Sequence, residues 1–277
     1  MLPDLQIDVL QLGVQPAAPL IEILQITRLL ALNSDGSNVR MLSPRNNSHS
    51  HGIALGGGEL IDLLPEENGA VLMGRAYNPD DHVGTKLGSS KEGYGVDWVD
   101  TRDLSVKHVE NPQPNADDFI SDGRGNVRIM GLATHTQVDQ SSGQTVYSYR
   151  QQGSRDWLPL GKFNWVDYTG FLPRAIDPDL NVAYGFKKLD GRLALYTTAL
   201  DGSLREQLVL ARPDVDVDGL ITIGRRQRVV GASYATDMRY SEYFDPTIDK
   251  LMKSLSKALP GQRRVRVVDA SLDENVL

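Results

Sequence analysis

The most informative segment for the fold is residues 171–210, FLPRAIDPDLNVAYGFKKLDGRLALYTTALDGSLREQLVL. It holds four short runs rich in aliphatic, aromatic and β-branched residues, separated by three polar turns. These turns are Asp177-Pro178-Asp179, Asp190-Gly191 and Asp201-Gly202. An Asp-Gly pair between such runs predicts a hairpin, because glycine readily adopts the positive φ that a tight hairpin turn requires. We therefore expect four antiparallel strands in sequence order.

The same pattern recurs along the chain. At four places a polar turn is followed by an apolar run that ends in glycine. These glycines are Gly74, Gly131, Gly185 and Gly231, and the intervals between them are 57, 54 and 46 residues. The outer hairpin recurs too, as LLALNSDGSNVRMLS, WVDTRDLSVKHVE, VYSYRQQGSRDWLPL and LYTTALDGSLREQLVL. A repeat of about fifty residues with four strands in each favours a β-propeller over a solenoid or a βαβ fold.

The predicted fold class is therefore all-β, a partial β-propeller of about four four-stranded antiparallel blades with one inserted amphipathic helix. Residues 1–25 do not match the repeat and are expected to form an irregular N-terminal arm or a displaced strand. Residues 26–277 are expected to form the incomplete propeller, in which Val276-Leu277 would open a further strand. The blade-like units are predicted at about 94–110, 117–160 and 172–210, with a partial unit at 219–235.

One segment has helical rather than β periodicity. Asp245-Pro246 places a capping residue before proline at the first helical position, and Pro260-Gly261 ends the run. Between them, apolar residues follow 3.6-residue spacing at Ile248, Leu251, Met252, Leu255 and Leu259. We predict a helix over 246–258 whose apolar face packs on the propeller edge or, alternatively, docks another domain or subunit.

Composition excludes several classes of function. The net charge of −7 argues against general nucleic-acid binding, although the basic runs 225–228 and 263–266 remain. The chain has no cysteine, which excludes a disulfide framework or a thiol nucleophile. No apolar run is long enough to span a membrane. The first 30 residues lack a signal peptide, so the chain as written is expected to be soluble and cytoplasmic, although the true N-terminus could lie upstream.

Four segments near the C-terminus form a recognisable series: DVDGL (216–220), RVVGASYATD (228–237), YFDP (243–246) and ALPG (258–261). In order and spacing they resemble the propeller half of bacterial serine peptidases of the prolyl oligopeptidase family, in its acylaminoacyl-peptidase and dipeptidyl-peptidase-like branch. The resemblance covers roughly residues 26–277, and the outer hairpins such as Trp98-Val99-Asp100-Thr101-Arg102 also fit it.

The resemblance implies a propeller that caps a C-terminal α/β-hydrolase domain and admits only short peptides to its Ser-Asp-His triad. A nucleophile elbow requires G-x-S-x-G. The nearest matches are Gly88-Ser89-Ser90, with Glu92 in place of the second glycine, and Gly231-Ala232-Ser233, with Ala235 there. No catalytic residue is therefore assigned, and this chain alone is expected to be inactive.

Two functions follow as expectations. The first is the substrate-gating, non-catalytic propeller part of such a peptidase, meeting peptide substrates through a hydrolase domain that is absent from this chain. The second is a stand-alone propeller scaffold that binds a protein or peptide. Open blade edges also predict self-association.

Other candidate sites are weaker, and no metal or cofactor is assigned. Asp214-Val215-Asp216-Val217-Asp218-Gly219 matches the opening of a calcium loop, but Arg225 replaces the glutamate expected at its twelfth position. His49 and His51 could supply half of a zinc or nickel site, whereas His82, His108 and His135 are expected to be satisfied surface or edge residues. A carboxylate pair for sugar hydrolysis could come from Asp117, Asp118, Asp167 and Asp177, although aspartate before a turn is expected for its local hydrogen bonds.

Overall fold

A computed structural model describes residues 5–11, 27–33, 35–42, 58–67, 69–79, 91–135, 141–260 and 265–277. These residues are predominantly β, with one helix, as the sequence predicts. The strands are β1 (Leu5–Gln11), β2 (Thr27–Asn33), β3 (Arg40–Met41), β4 (Glu59–Asp62), β5 (Ala70–Tyr77), β6 (Gly93–Asp100), β7 (Val106–Gln113), β8 (Ala116–Ser121), β9 (Val127–His135), β10 (Ser141–Tyr149), β11 (Leu158–Asn164), β12 (Thr169–Asp177), β13 (Val182–Leu189), β14 (Arg192–Ala199), β15 (Glu206–Leu210), β16 (Val217–Ile223), β17 (Arg228–Ala235) and β18 (Arg239–Tyr243). The helix is α1 (Pro246–Ala258).

Strands that are neighbours in sequence are neighbours in the sheets. The order is β1-β2-β3 in one sheet, β4-β5-β6-β7 in a second, β8 to β15 in a third and β16-β17-β18 in a fourth. A separate sheet of four strands, as predicted for each unit, is seen for β4–β7, whereas β8–β15 are joined into one order of eight strands through the pairing of β11 with β12. The join consists of two residue pairs, Phe163 with Gly170 and Asn164 with Thr169. It forms because a tight turn, with Tyr168 at φ 57°, returns the chain directly onto β11.

The repeated glycines occupy equivalent places. Gly74, Gly131, Gly185 and Gly231 lie in β5, β9, β13 and β17, the second strand of each four-strand run or of the last sheet. At each one a neighbouring strand approaches too closely for a side chain. A Cβ on Gly131 would lie 2.8 Å from Cε1 of Tyr147, and one on Gly185 would lie 2.5 Å from the carbonyl oxygen of Leu172.

The predicted turn at Asp190-Gly191 is confirmed. Leu189 pairs with Arg192 across a two-residue connection, with φ of 50° at Asp190 and 84° at Gly191. Positive φ at both central residues defines the hairpin turn whose twist matches that of the strands. The predicted outer hairpin LLALNSDGSNVRMLS also forms, as β2–β3, and β4 pairs antiparallel with β5.

The chain divides into two compact units, each with its own apolar core. The first is Met1–Asp117, in which Leu29, Ala31, Leu42, Val71, Met73 and Val99 are buried together. The second is Asp118–Leu277, whose larger core joins β9 to β17 and includes Ile129, Tyr147, Phe163, Phe186, Leu195 and Ala232.

The predicted helix is confirmed over Pro246–Ala258. Asp245 caps it by accepting hydrogen bonds from the backbone N–H groups of Thr247 and Ile248. Its apolar face is only partly covered: Ile248 and Met252 pack against Ile223, Val230 and Val267, whereas Leu251, Leu255 and Leu259 remain exposed. The basic residue Lys257 in the last turn is placed favourably for the helix dipole.

Part of the N-terminal segment is regular. Residues 5–11 form β1, which pairs antiparallel with β2, so the displaced-strand alternative applies to them. None of the described residues forms a helix long and apolar enough to cross a membrane.

Candidate functional site

A pocket of about 270 Å³ opens on the sheet β16–β17–β18. Strands β16, β17 and β18 and the segment 266–268 all contribute to its wall, which combines apolar, hydroxyl and guanidinium groups. The lining residues are Leu220, Ile221, Thr222, Ser233, Arg239, Ser241, Arg266, Val267 and Val268.

Strand register places the hydroxyl of Ser233 in this pocket. Ser233 lies on the central strand β17, paired with Gly219 of β16 on one side and Ser241 of β18 on the other. A Cβ on Gly219 would lie 2.6 Å from Oγ of Ser233. The glycine therefore provides the space that the hydroxyl occupies.

Arg239 fixes the position of that hydroxyl. Its Nη1 donates to Oγ of Ser233 at 3.0 Å and to Oδ1 of Asp218 at 2.6 Å, and its Nη2 donates to Oδ2 of Asp218 at 3.0 Å. The Asp218 carboxylate raises the pKa of Arg239 above its ordinary value. Among the described residues, Arg239 is the one side chain bonded to Ser233, and a guanidinium cannot accept the proton of a nucleophilic serine.

Three long-range contacts bring the C-terminal segment to the pocket. The backbone N–H of Val267 donates to the hydroxyl of Tyr243 at 3.1 Å, and the N–H of Gly224 donates to Oδ1 of Asp269 at 3.0 Å. Arg228 donates from Nε to Oε1 of Glu274 at 2.9 Å. These contacts place Arg266 on the pocket wall.

The Arg266 guanidinium differs from that of Arg239. No carboxylate in the part of the chain that the structure describes pairs with it, and its side chain is exposed. The pocket therefore has one compensated and one uncompensated cation beside serine hydroxyls, an arrangement suited to binding an anionic group.

A second polar cluster lies in the sheet β4–β7. The fully buried carboxylate of Asp97 accepts from Nη1 of Arg75 at 3.0 Å and from Nδ1 of His108 at 2.7 Å, and the Tyr77 hydroxyl also donates to it. Nζ of Lys91 lies 2.6 Å from Nε2 of His108. Burial, followed by the Asp97 carboxylate, raises the pKa of Tyr77 above its ordinary value. His108, expected to be a satisfied edge residue, is one: its side chain is 42% exposed on the edge strand β7.

The candidate calcium loop at residues 214–219 does not bring its carboxylates together. Its three carboxylates have separate partners: Asp214 pairs with Arg212, Asp216 accepts from the backbone N–H of Leu193, and Asp218 holds Arg239. No group of three potential metal ligands forms among the described residues. Of the three, only Asp218 lies in the strand Val217–Ile223, and an extended strand does not wrap around an ion as a calcium loop does.

The other candidate carboxylates serve in turns and strands. Asp167 accepts from the backbone N–H of Thr169, and Asp177 accepts from the N–H groups of Asp179 and Leu180, as expected of aspartate before a turn. The remaining two, Asp117 and Asp118, lie on β8.

Several predicted residues fall outside the described part of the chain. These are His49, His51, His82 and the segment Gly88-Ser89-Ser90. His135 is exposed at the end of β9.

Neither the Asp97 cluster nor the two arginines of the pocket were predicted from the sequence. A signal for the first exists: Asp97 stands between Val96 and Trp98 in an otherwise apolar run, where an acidic residue requires partners once buried. The pocket had no local signal, because Arg266 reaches it only through the contacts of the C-terminal segment.

Comparison with models of protein families gives no match, and a search of curated proteins gives none either. The resemblance to prolyl oligopeptidase-type propellers therefore rests on the sequence segments quoted above.

Proposed function

We propose that this chain is the non-catalytic, substrate-gating propeller part of a prolyl oligopeptidase-type serine peptidase, and that the α/β-hydrolase domain lies outside residues 1–277. Its role is to limit access to the hydrolase so that only short peptides reach the catalytic serine.

The repeated meander is the observation that carries this proposal. Successive runs of antiparallel strands place Gly74, Gly131, Gly185 and Gly231 at the same point, in the second strand of each run. Sequential four-stranded meanders with one periodic glycine motif are the units from which propellers are built. We take β4–β7, β8–β11, β12–β15 and β16–β18 as successive blades, the last of them partial.

The environment of Ser233 supports a binding role. Its hydroxyl accepts from Arg239 and lies in a strand, whereas a catalytic serine requires an adjacent base and a strained strand-to-helix turn. The sequence of 277 residues also contains no G-x-S-x-G.

The gene provides the first test. Sequencing beyond the codon for Leu277 is expected to show an in-frame G-x-S-x-G followed by aspartate and histidine codons. A stop codon at that position would contradict the proposal and favour the stand-alone scaffold.

A second test uses the purified chain. We expect no hydrolysis of fluorogenic di- and tripeptides above the rate in buffer. Hydrolysis that is abolished by Ser233→Ala or Ser90→Ala would overturn the assignment of a non-catalytic role.

A further inference from the structure

We infer that the pocket on β16–β18 binds the carboxylate of a peptide, with an aliphatic side chain seated beside it. The peptide as ligand rests on the function proposed above; the carboxylate and the aliphatic neighbour follow from the pocket itself.

The pocket carries a positive charge that no carboxylate compensates among the described residues. Asp218 neutralises Arg239 with two hydrogen bonds, whereas Arg266 has no carboxylate partner among the described residues. The pocket thus carries a local positive charge on a chain whose net charge is −7. A guanidinium presents paired N–H donors that match the two oxygens of a carboxylate.

Two serine hydroxyls in the pocket are available as hydrogen-bond donors. Ser233 accepts a hydrogen bond from Arg239, so its own O–H remains available to donate. Ser241 is exposed and lies directly opposite Ser233 on β18. Its hydroxyl has no hydrogen-bond partner among the described residues. Both hydroxyls can therefore donate to an anion held by Arg266. The Thr222 hydroxyl, by contrast, already donates to Gln227.

The apolar side chains of the pocket favour an anion that carries an aliphatic group. Leu220, Ile221 and Val268 line the same pocket as the two arginines, the first two half-buried and Val268 78% exposed. A bare inorganic anion would leave these side chains facing water, whereas an aliphatic residue that bears the carboxylate would cover them.

The size of the pocket points to the end of a peptide. At about 270 Å³ it is smaller than the cavities of about 300–1,000 Å³ that enclose drug-sized ligands. It has room for a terminal residue with its carboxylate, and we expect the rest of the peptide to remain outside.

The test compares two peptides that differ in one charge. N-acetyl-Ala-Ala-Leu with a free C-terminal carboxylate and the same peptide as its C-terminal amide are titrated into the full 277-residue chain by calorimetry. We expect the acid to bind about ten- to a hundredfold more tightly than the amide, because a hydrogen-bonded carboxylate contributes that much. Equal affinities, or no binding of the acid at millimolar concentration, would overturn the inference.

Variants locate the site. Arg266→Ala is expected to weaken binding of the acid about tenfold or more and to leave the amide unaffected, and Arg266→Lys is expected to recover part of the loss. Arg192→Ala, at an exposed arginine of β14 outside the pocket, is the matched control and is expected to change nothing. If Arg192→Ala weakens the binding of the acid as much as Arg266→Ala does, the anion is held by general charge and the inference fails.

The two proposals can fail separately. A gene that continues into a hydrolase while the acid and amide bind equally would remove the carboxylate site alone. A stop codon after Leu277 with strong preference for the acid would remove the peptidase assignment and keep the site.

Discussion

The carboxylate of Asp97 is fully buried on β6 and compensates Arg75, whose side chain is only 10% exposed. Removing one partner of a buried ion pair leaves the other as an uncompensated charge. Arg128 on β9 is also buried, but its guanidinium is not paired with a carboxylate in the described part of the chain. It is 3% exposed and donates to neutral groups, the carbonyl of Arg150 at 2.6 Å and Oδ1 of Asn181 at 2.9 Å. Burial lowers the pKa of Arg128.

The first prediction concerns Asp97. Asp97→Ala is expected to lower the free energy of unfolding by about 3–5 kcal/mol, because Arg75 would stay buried without its counter-charge. Asp103→Ala, at an exposed turn residue of the same unit, is expected to cost no more than about 1 kcal/mol. Urea titrations followed by circular dichroism measure both, and equal losses would contradict the importance of the buried pair.

The second prediction concerns pH. Hydrogen bonds from Arg102, the largest cause, lower the pKa of Asp100 from 3.8 to about 2. Because this pKa is lower in the folded protein than in the unfolded chain, the carboxylate stabilises the fold above about pH 4, and the contribution is lost as the pH falls towards 2. Asp100→Asn should remove this part of the acid dependence when unfolding free energies are measured from pH 5 to pH 2. An unchanged slope would show that Asp100 contributes nothing there.

Among the elements, α1 could be predicted almost completely and the sheet β8–β15 only in part. Asp245-Pro246 and the 3.6-residue spacing are local signals, so they fix the helix without knowledge of its neighbours. The Asp190-Gly191 hairpin is local in the same way. The pairing of β11 with β12 is not, because residues 165–168 carry no Asp-Gly or Asn-Gly pair to indicate a tight return.

The third prediction compares a buried and an exposed residue on the apolar face of α1. Met252 is buried against Val230 and Val267, so Met252→Ala is expected to cost about 2–5 kcal/mol. Leu255 is one turn away and 40% exposed, so Leu255→Ala should cost far less. Thermal unfolding of the two variants tests this difference, and a larger loss for Leu255→Ala would show that the exposed face is covered in solution.

For the whole molecule, the sequence period predicted a β-rich chain and its order of hairpins, which the sheets confirm. It could not predict the Asp97 cluster, because the partners of Asp97 depend on the register of β5, β6 and β7. Nor could it predict the pocket, because Arg266 and Val267 reach the sheet β16–β18 from a segment outside it. Arg266 illustrates the limit: its own neighbours in sequence indicate only a basic run, and the contacts of Val267 and Asp269 decide where it lies.

The fourth prediction is self-association through strand edges. Among the described strands, β15 pairs only with β14, and its Leu208 is 47% exposed. Unprotected edges of this kind add strands from other molecules, and an edge lysine suppresses such pairing. Light scattering should therefore give a mass that rises with concentration in the parent chain and less so in Leu208→Lys. Leu180→Lys, at an exposed turn, is the control, and a monomer at every concentration would contradict the prediction.

The proposed peptidase is tested most directly by labelling the native protein, isolated from its source, with a fluorophosphonate that reacts with activated serines, and by identifying the labelled residue by mass spectrometry. We expect a labelled serine within a G-x-S-x-G sequence outside residues 1–277. Labelling of Ser90 or Ser233, or the absence of any labelled serine, would contradict it.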